Sequence, residues 1–464
     1  MSCCEKIPTR YTIGVMIYMC VLVSFTLQVN LSVNIVDMVP VVVNGTETVE
    51  KETLGWSAYE RALVLGGYSW GYIVANIMGG LVVQKLGPRN TVILGQLGSA
   101  ILTFLSPLFA KMSFIALTIT RIALGFLSGF LIPAVTGLIA NWAVPNERGK
   151  FTSAMIGGTI GTMVAWSILG VLIESYGWEW GFYFFAITAV LFCLPWLYIV
   201  YDTPDEHPRI EKSEKQFIID GIQKNDRTKL IPPYFRIVTN VPWIAGAILA
   251  FGNNWGIFFI LNSAPTFIAN VLKYNLGSTG LLSSITYIVR SCTAILFGII
   301  GDFILRRKIL SVNTLRKSFV TFSHILPGLL LLALTTTSNP IVALTLMIIS
   351  IGLNGSSVLT SAINCHDLTP NYASTAFGLT NGLASVSGIL SPLVVAHFTE
   401  QDETNLERWR PVFYIGSGIY VLSAIIFVVF GSTQVQAFNR IEDENLEDAT
   451  LKNQEKYTIA TVQN

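Results

Sequence analysis

Apolar runs of about twenty residues recur along this chain from Tyr11 to Gly431, and each is long enough to cross a bilayer as a helix. In lipid every backbone N–H and C=O must find its partner inside the protein, which a helix provides within its own segment. Twelve such spans are predicted, at about 12–38, 59–84, 91–110, 113–140, 151–173, 180–201, 241–270, 278–301, 318–336, 340–362, 373–397 and 411–431. Composition agrees. Only 12% of the 464 residues are charged, where a soluble domain carries ~25%. The net charge of +1 leaves no basic stripe for a nucleic acid, so membrane lipid is the expected surrounding.

The fold class expected is therefore an all-α membrane protein of twelve transmembrane helices in two six-helix halves. Residues 1–201 form the N-terminal half, 202–240 a cytoplasmic central loop, 241–431 the C-terminal half and 432–464 a cytoplasmic tail. Lys and Arg set the orientation. With a cytoplasmic N-terminus, 21 of the 29 Lys and Arg fall in cytoplasmic segments and five outside, at Lys51, Lys111, Lys273, Arg408 and Arg410. The remaining three, Arg61, Arg121 and Arg290, lie within spans. Asn44-Gly-Thr46, an N-glycosylation acceptor between spans 1 and 2, fits that topology. Within the central loop, Glu211–Gln223 can form a short amphipathic helix. The six Cys have no metal-ligand spacing, and no pair shares an outer loop, so a disulfide framework is not expected.

Arg121 sits in the middle of span 4, with no other charge between Lys111 and Glu147. Its guanidinium stays charged at any physiological pH. At the bilayer centre it costs ~2.5–3.5 kcal/mol on insertion scales, so such a residue faces the bundle interior or a wet cavity. A planar fork of donors there selects an anionic ligand. The bland alternative ties span 4 to backbone carbonyls of its neighbours. Arg290 in span 8 is a second intramembrane cation, either an anion contact at the interface of the halves or a residue snorkelling to the cytoplasmic face.

A weak internal repeat joins the halves. Gly80-Leu-Val-Val-Gln-Lys-Leu-Gly87-Pro-Arg89 follows span 2, and Gly298-Ile-Ile-Gly-Asp302 running to Arg306 and Lys308 follows span 8. A glycine and a basic turn between the second and third helix of each half resemble the loop motif of the major facilitator superfamily. The acid of that motif is Gln84 in the first copy and Asp302 in the second.

Further segments resemble a narrower family, that of sialin, the vesicular glutamate transporters and type I sodium–phosphate cotransporters. They are Gln28-Val-Asn-Leu-Ser-Val-Asn-Ile-Val-Asp-Met-Val39, Gly71-Tyr72, Asn76-Ile-Met-Gly-Gly80, Asn141-Trp-Ala-Val-Pro-Asn-Glu-Arg148, Tyr176-Gly-Trp-Glu-Trp-Gly-Phe-Tyr183 and Asp367-Leu-Thr-Pro-Asn-Tyr-Ala373. The resemblance implies alternating-access transport of a small anion. Departures from the family pattern narrow it. Gln28 and Asn253 stand where the glutamate carriers have Arg, Leu65 where they have His, and Ser128 where the family places a Glu seven residues beyond Arg121. The resemblance therefore supports anion transport without supporting glutamate or sialic acid.

The expected substrate contacts are Arg121, Gln28, Tyr72, Asn253, Arg290 and Tyr287, with Gly80, Gly87, Arg89, Asp302 and Arg306 serving the loop motif. Asn30, Asn34, Asn76 and Asn381 are further polar groups on spans, each equally suited to joining helices. No catalytic triad, phosphate-cradling glycine loop or metal cluster is present, so no enzyme chemistry and no cofactor are expected. The coupling ion is left as Na+ or H+. Because the family's central proton site is missing, sodium coupling or potential-driven movement is favoured. Two other readings stay open: an inorganic phosphate cotransporter, and a non-transporting sensor or scaffold of the same fold. Plasma and vesicular or lysosomal membranes both remain open as the location.

Overall fold

The computed structural model describes residues 8–39, 41–43, 46–48, 54–144, 147–223 and 232–439. Twelve helices of spanning length follow one another: α1 Thr9–Met38, α2 Ala58–Leu86, α3 Pro88–Met112, α4 Phe114–Trp142, α5 Arg148–Tyr176, α6 Trp178–Ile199, α7 Val241–Asn262, α8 Leu276–Arg306, α9 Val312–Leu334, α10 Pro340–Leu368, α11 Thr375–Thr399 and α12 Leu406–Phe430. Eleven are long and apolar enough to cross a membrane. The other, α2, has the length, at 29 residues, but carries Glu60, Arg61, Tyr68, Ser69, Tyr72 and Asn76. An even number of passes brings both chain ends to one end of the bundle, here the terminal end; the other is the far end.

Several helices are interrupted where proline removes a donor. α4 runs as Phe114–Gly129 and Leu131–Trp142, because Pro133 has no N–H for the Gly129 carbonyl. The seventh span, predicted as one helix over 241–270, stops at Asn262 and resumes as Ala264–Thr266 and Phe267–Val271 around Pro265. α9 carries a π-turn over Thr321–Ile325, just before Pro327. It also begins six residues earlier than predicted, because its first turn is too polar for a hydropathy reading. Ser311 caps that turn by accepting from the Thr314 N–H at 3.1 Å. Between α1 and α2 a short antiparallel hairpin pairs Val41–Val43 with Thr46–Thr48, a feature the all-helical expectation did not contain. The acceptor Asn44 lies outside the described residues.

Within the first six helices α2 packs on α4, and α1 on α5 and α6; within the last six α7 packs on α12, and α8 and α9 on α10. The two sets meet where α2 lies on α11 and α5 on α8. The helix Lys212–Gln223 closes the terminal end of the first set. Its Glu214 accepts from the backbone N–H groups of Thr9 and Arg10 at 2.9 and 3.0 Å, capping α1, while Ile218 is fully buried beneath it. Arg10 also pairs with Glu147 at 3.0 Å and with Glu214 at 3.1 Å.

The first loop motif finds its acid elsewhere in the chain. Gly87 has φ +78°, which favours glycine, and Asp202 after α6 accepts from the Arg89 N–H at 2.6 Å at the start of α3. The Arg89 guanidinium bonds the Leu197 carbonyl and lies 4.8 Å from the Tyr201 ring centroid. In the second copy Asp302 and Arg306 are exposed on the last two turns of α8. Gly80 and Gly298 face open space, not a neighbouring helix. The predicted tail starts as a docked segment: Gln436 N–H donates to Leu368 O at 2.9 Å, and Asn439 accepts from Thr369 and Asn371.

Candidate anion-binding cavity

Glycine sets the position of Arg121. A Cβ at Gly125 would overlap the Tyr68 carbonyl, and one at Gly71 would overlap the Ile122 carbonyl, so α2 and α4 touch backbone to backbone. That approach stacks Tyr68 on Tyr72 one turn along α2, with ring centroids 5.8 Å apart, and puts the Arg121 guanidinium 5.5 Å from the Tyr68 ring centroid. Arg121 is 4% exposed. One Nη2 N–H reaches the Gln28 main-chain carbonyl at 3.0 Å, while the buried Nε has no protein partner. The tie to a backbone carbonyl thus exists, and it leaves donors of the guanidinium over.

Between the two sets of helices lies a cavity of ≈ 130 Å³. Its polar lining includes Gln28, Tyr72, Ser128, Asn254, Tyr287 and Asn381, and its walls include the rings of Phe25, Tyr68 and Phe258. No Asp, Glu, Lys, Arg or His is among the lining residues. Arg121 stands two turns beyond Ser128 on α4, toward the far end. There it lines a void of ≈ 10 Å³ with Gln28, Ser32, Tyr68, Ser69 and Asn262. That void has room for about one water. Gln28, Tyr68, Phe258 and Leu261 border both spaces, so the charge sits in the roof of the cavity behind a partition of four side chains.

The residues singled out from sequence divide into two groups. Gln28, Tyr72 and Tyr287 line the cavity, and Tyr287 is held edge-on by Trp166 with centroids 5.8 Å apart. Arg121 lines the roof. Asn253 is absent from the lining; its neighbour Asn254 takes that place, and the Asn253 amide reaches it at 3.4 Å. Arg290 is also absent. It lies one turn from Tyr287 toward the terminal end, its guanidinium 6.0 Å from that ring centroid and its Nε donating to Asn354 Oδ1 at 3.3 Å. Asn354 in turn donates to the Ser323 carbonyl at 2.9 Å, and Ser323 meets His324 at 2.7 Å, so Arg290 belongs to a polar chain inside the last six helices. Ser128 bonds Ser99 at 3.2 Å, and Leu65 is buried beside the roof void. The sequence reading missed Tyr68, Phe258 and Asn254. Tyr68 is one turn from Tyr72, a spacing that places both on one helix face.

Residues 15–392 match the model of the Major Facilitator Superfamily. The chain is 28% identical to vesicular glutamate transporter 3 of Danio rerio, over 96% of this chain and 76% of that protein. It is 29% identical to sialin of Homo sapiens, over 94% of this chain and 91% of that one. Vesicular glutamate transporter 1 of Bos taurus is also 29% identical, with coverages of 95% and 80%. Among solved structures, a bacterial homolog of the human lysosomal transporter Spinster superposes with TM-score 0.70 at 13% identity, covering 92% of this chain and 97% of that one. A D-xylose–proton symporter superposes at 0.66 with 16% identity, covering 92% and 99%.

Proposed function

This chain belongs to the Major Facilitator Superfamily, and from that premise we propose that it carries a small organic monoanion across a membrane by alternating access. It is a multi-pass membrane protein whose relatives named above are transporters, not enzymes. The observation that carries the substrate reading is the pairing of one buried guanidinium with an uncharged, aromatic-walled cavity. A single cation in the roof matches a single negative charge. A dianion would leave its second charge among amides and rings, at a desolvation cost nothing in the lining offsets.

Size supports an organic body. An apolar cavity of ~150 Å³ accepts benzene, and this one is ≈ 130 Å³, so it suits a body of about one ring. The carboxylate or equivalent group would displace the partition at Gln28 and Tyr68 to reach Arg121. Inorganic phosphate would use the cation but leave the rings of Phe25, Tyr68 and Phe258 without a partner. Because no carboxylate or histidine lines the cavity, the driving force is read as sodium or the membrane potential; moving one charge through 100 mV is worth ~2.3 kcal/mol. The positive-inside rule places the terminal end in the cytoplasm.

The test is uptake into proteoliposomes of labelled phosphate, urate, glutamate, sialic acid and an aromatic carboxylate, each under a sodium gradient, a proton gradient or a potential alone. Saturable uptake of a monoanion, without competition by phosphate, is expected. Preferred uptake of phosphate would replace the organic substrate. No flux from folded protein would favour a sensor or scaffold.

A further inference from the structure

A second cavity, of ≈ 320 Å³ and so larger than the one below Arg121, opens on the outer face of the first six helices between α3 and α6. Every residue lining it is apolar. Small residues make its floor: Ala100 and Ala186 are 0% and 1% exposed where the two helices pack. Larger ones raise the walls, with Phe104, Ile187 and Val190 exposed at the rim. Apolar surface facing lipid is ordinary, since lipid tails are as apolar as leucine. A cleft is not, because atoms lining an empty space lose their dispersion partners. In a bilayer the filler at hand is a hydrocarbon chain. A cavity of ~150 Å³ accepts benzene, so one of ≈ 320 Å³ suits roughly a dozen chain carbons.

A ladder of rings joins the cleft to the far end. Between centroids, Phe104 lies 5.0 Å from Tyr183, Tyr183 lies 6.2 Å edge-on from Trp180, and Trp180 lies 6.2 Å from Tyr176. Rings gathered at a span's end mark the level of the lipid headgroups. At that level Lys111, in the last turn of α3, pairs with Glu179, in the first turn of α6, at 2.9 Å. Ala100 is eleven residues from Lys111 along α3, and Val190 is eleven from Glu179 along α6. At a helical rise of 1.5 Å per residue each lies ~16 Å below the pair. Half of a bilayer's hydrocarbon core is ~15 Å. The cleft therefore sits at the depth that a lipid chain reaches when its head lies at Lys111 and Glu179.

We propose that this groove is a site for one zwitterionic glycerophospholipid of the far leaflet. Its phosphate lies at Lys111, its ammonium at Glu179 and one of its chains in the cleft. The ion pair carries both signs, so it favours a head that carries both. An anionic head would gain at Lys111 and lose at Glu179. A sterol would fill the cleft but bring a single hydroxyl to two charges. The exposed rings of Tyr176 and Trp180 beside Glu179 suit the ammonium further. The site is separate from the anion cavity and holds whether or not the chain is a transporter.

Native mass spectrometry of the full chain in detergent, with phosphatidylcholine, phosphatidylglycerol or cholesterol added at equal concentrations, measures the lipid held. One phosphatidylcholine is expected to stay bound, about tenfold more tightly than phosphatidylglycerol. Lys111→Gln combined with Glu179→Gln should erase that preference. Val190→Trp, on an exposed wall, should fill the cleft and weaken phosphatidylcholine binding by about tenfold. Phosphatidylglycerol bound as tightly, or cholesterol held in place of the phospholipid, would overturn the proposal. So would phosphatidylcholine binding that neither variant alters.

Discussion

Arg121 on α4 donates to the main-chain carbonyl of Gln28 on α1 at 3.0 Å. That bond fixes the charge in the roof of the cavity to the helix whose Gln28 also borders both spaces. A lysine at 121 could hold the charge but has no fork to bond the carbonyl and an anion together. Arg121→Lys is therefore expected to lose most of its substrate affinity. A hydrogen bond to a charged group is worth about 1.5–3 kcal/mol, or roughly ten- to hundredfold in affinity. Concentration dependence of uptake checks it; an unchanged KM would show that the anion does not use the fork.

The close approach of α2 and α4 rests on Gly71 and Gly125. Gly125→Ala must drive the helices apart or bend one of them, an overpacking cost of about 1–3 kcal/mol. The melting temperature of purified protein should fall by several degrees. Substrate affinity should fall with it, because Tyr68 and Arg121 shift together. Retained melting temperature and affinity would mean that the contact is loose.

Gly87 joins a positive φ to the nearness of Asp202. Gly87→Ala suffers on both counts, and is expected to lower stability by more than the ~1 kcal/mol usual for a glycine replaced by alanine at positive φ. Asp202→Asn should cost less, about 0.3–1 kcal/mol for a carboxylate lost from a helix N-terminus. Comparing the two melts separates backbone strain from charge; equal losses would argue that charge alone matters.

His207, in the segment after α6, is wedged edge-on between Trp142 and Tyr201, with centroids 5.7 and 4.9 Å away. Burial pushes its imidazole below the usual 6.5, against the opposing pull of the Ile199 backbone. The docked segment therefore binds fewer protons than the undocked one below that value. Its docking should be at full strength above 6.5 and weaken as pH falls through the window beneath it. Hydrogen exchange of residues 202–223, corrected for intrinsic rate, should rise across that window and become flat in His207→Phe.

The passes were legible because lipid demands long apolar helices, and Arg121 because a lone charge in such a helix has few places to go. Gln28 and Tyr72 were found by resemblance and Tyr287 as a polar group on a span, and the three line one cavity. Asn253 was off by one. Adjacent residues on a helix point about 100° apart, and in Asn253-Asn254 nothing in the pattern says which amide faces inward. Arg290 misled for a different reason: its partner Asn354 lies 64 residues away on α10. The Asp202 contact with Arg89 and the Arg61–Glu403 pair were equally hidden, since each joins segments more than 100 residues apart.

The most direct test of the central claim is substrate flux with Arg121→Gln beside the unmodified protein, at matched amounts of folded transporter and with gradient and potential fixed. The account predicts saturable monoanion uptake that the variant loses while its melting temperature holds near that of the parent. Equal flux from the two proteins would contradict it, placing the anion's charge somewhere other than the roof of this cavity.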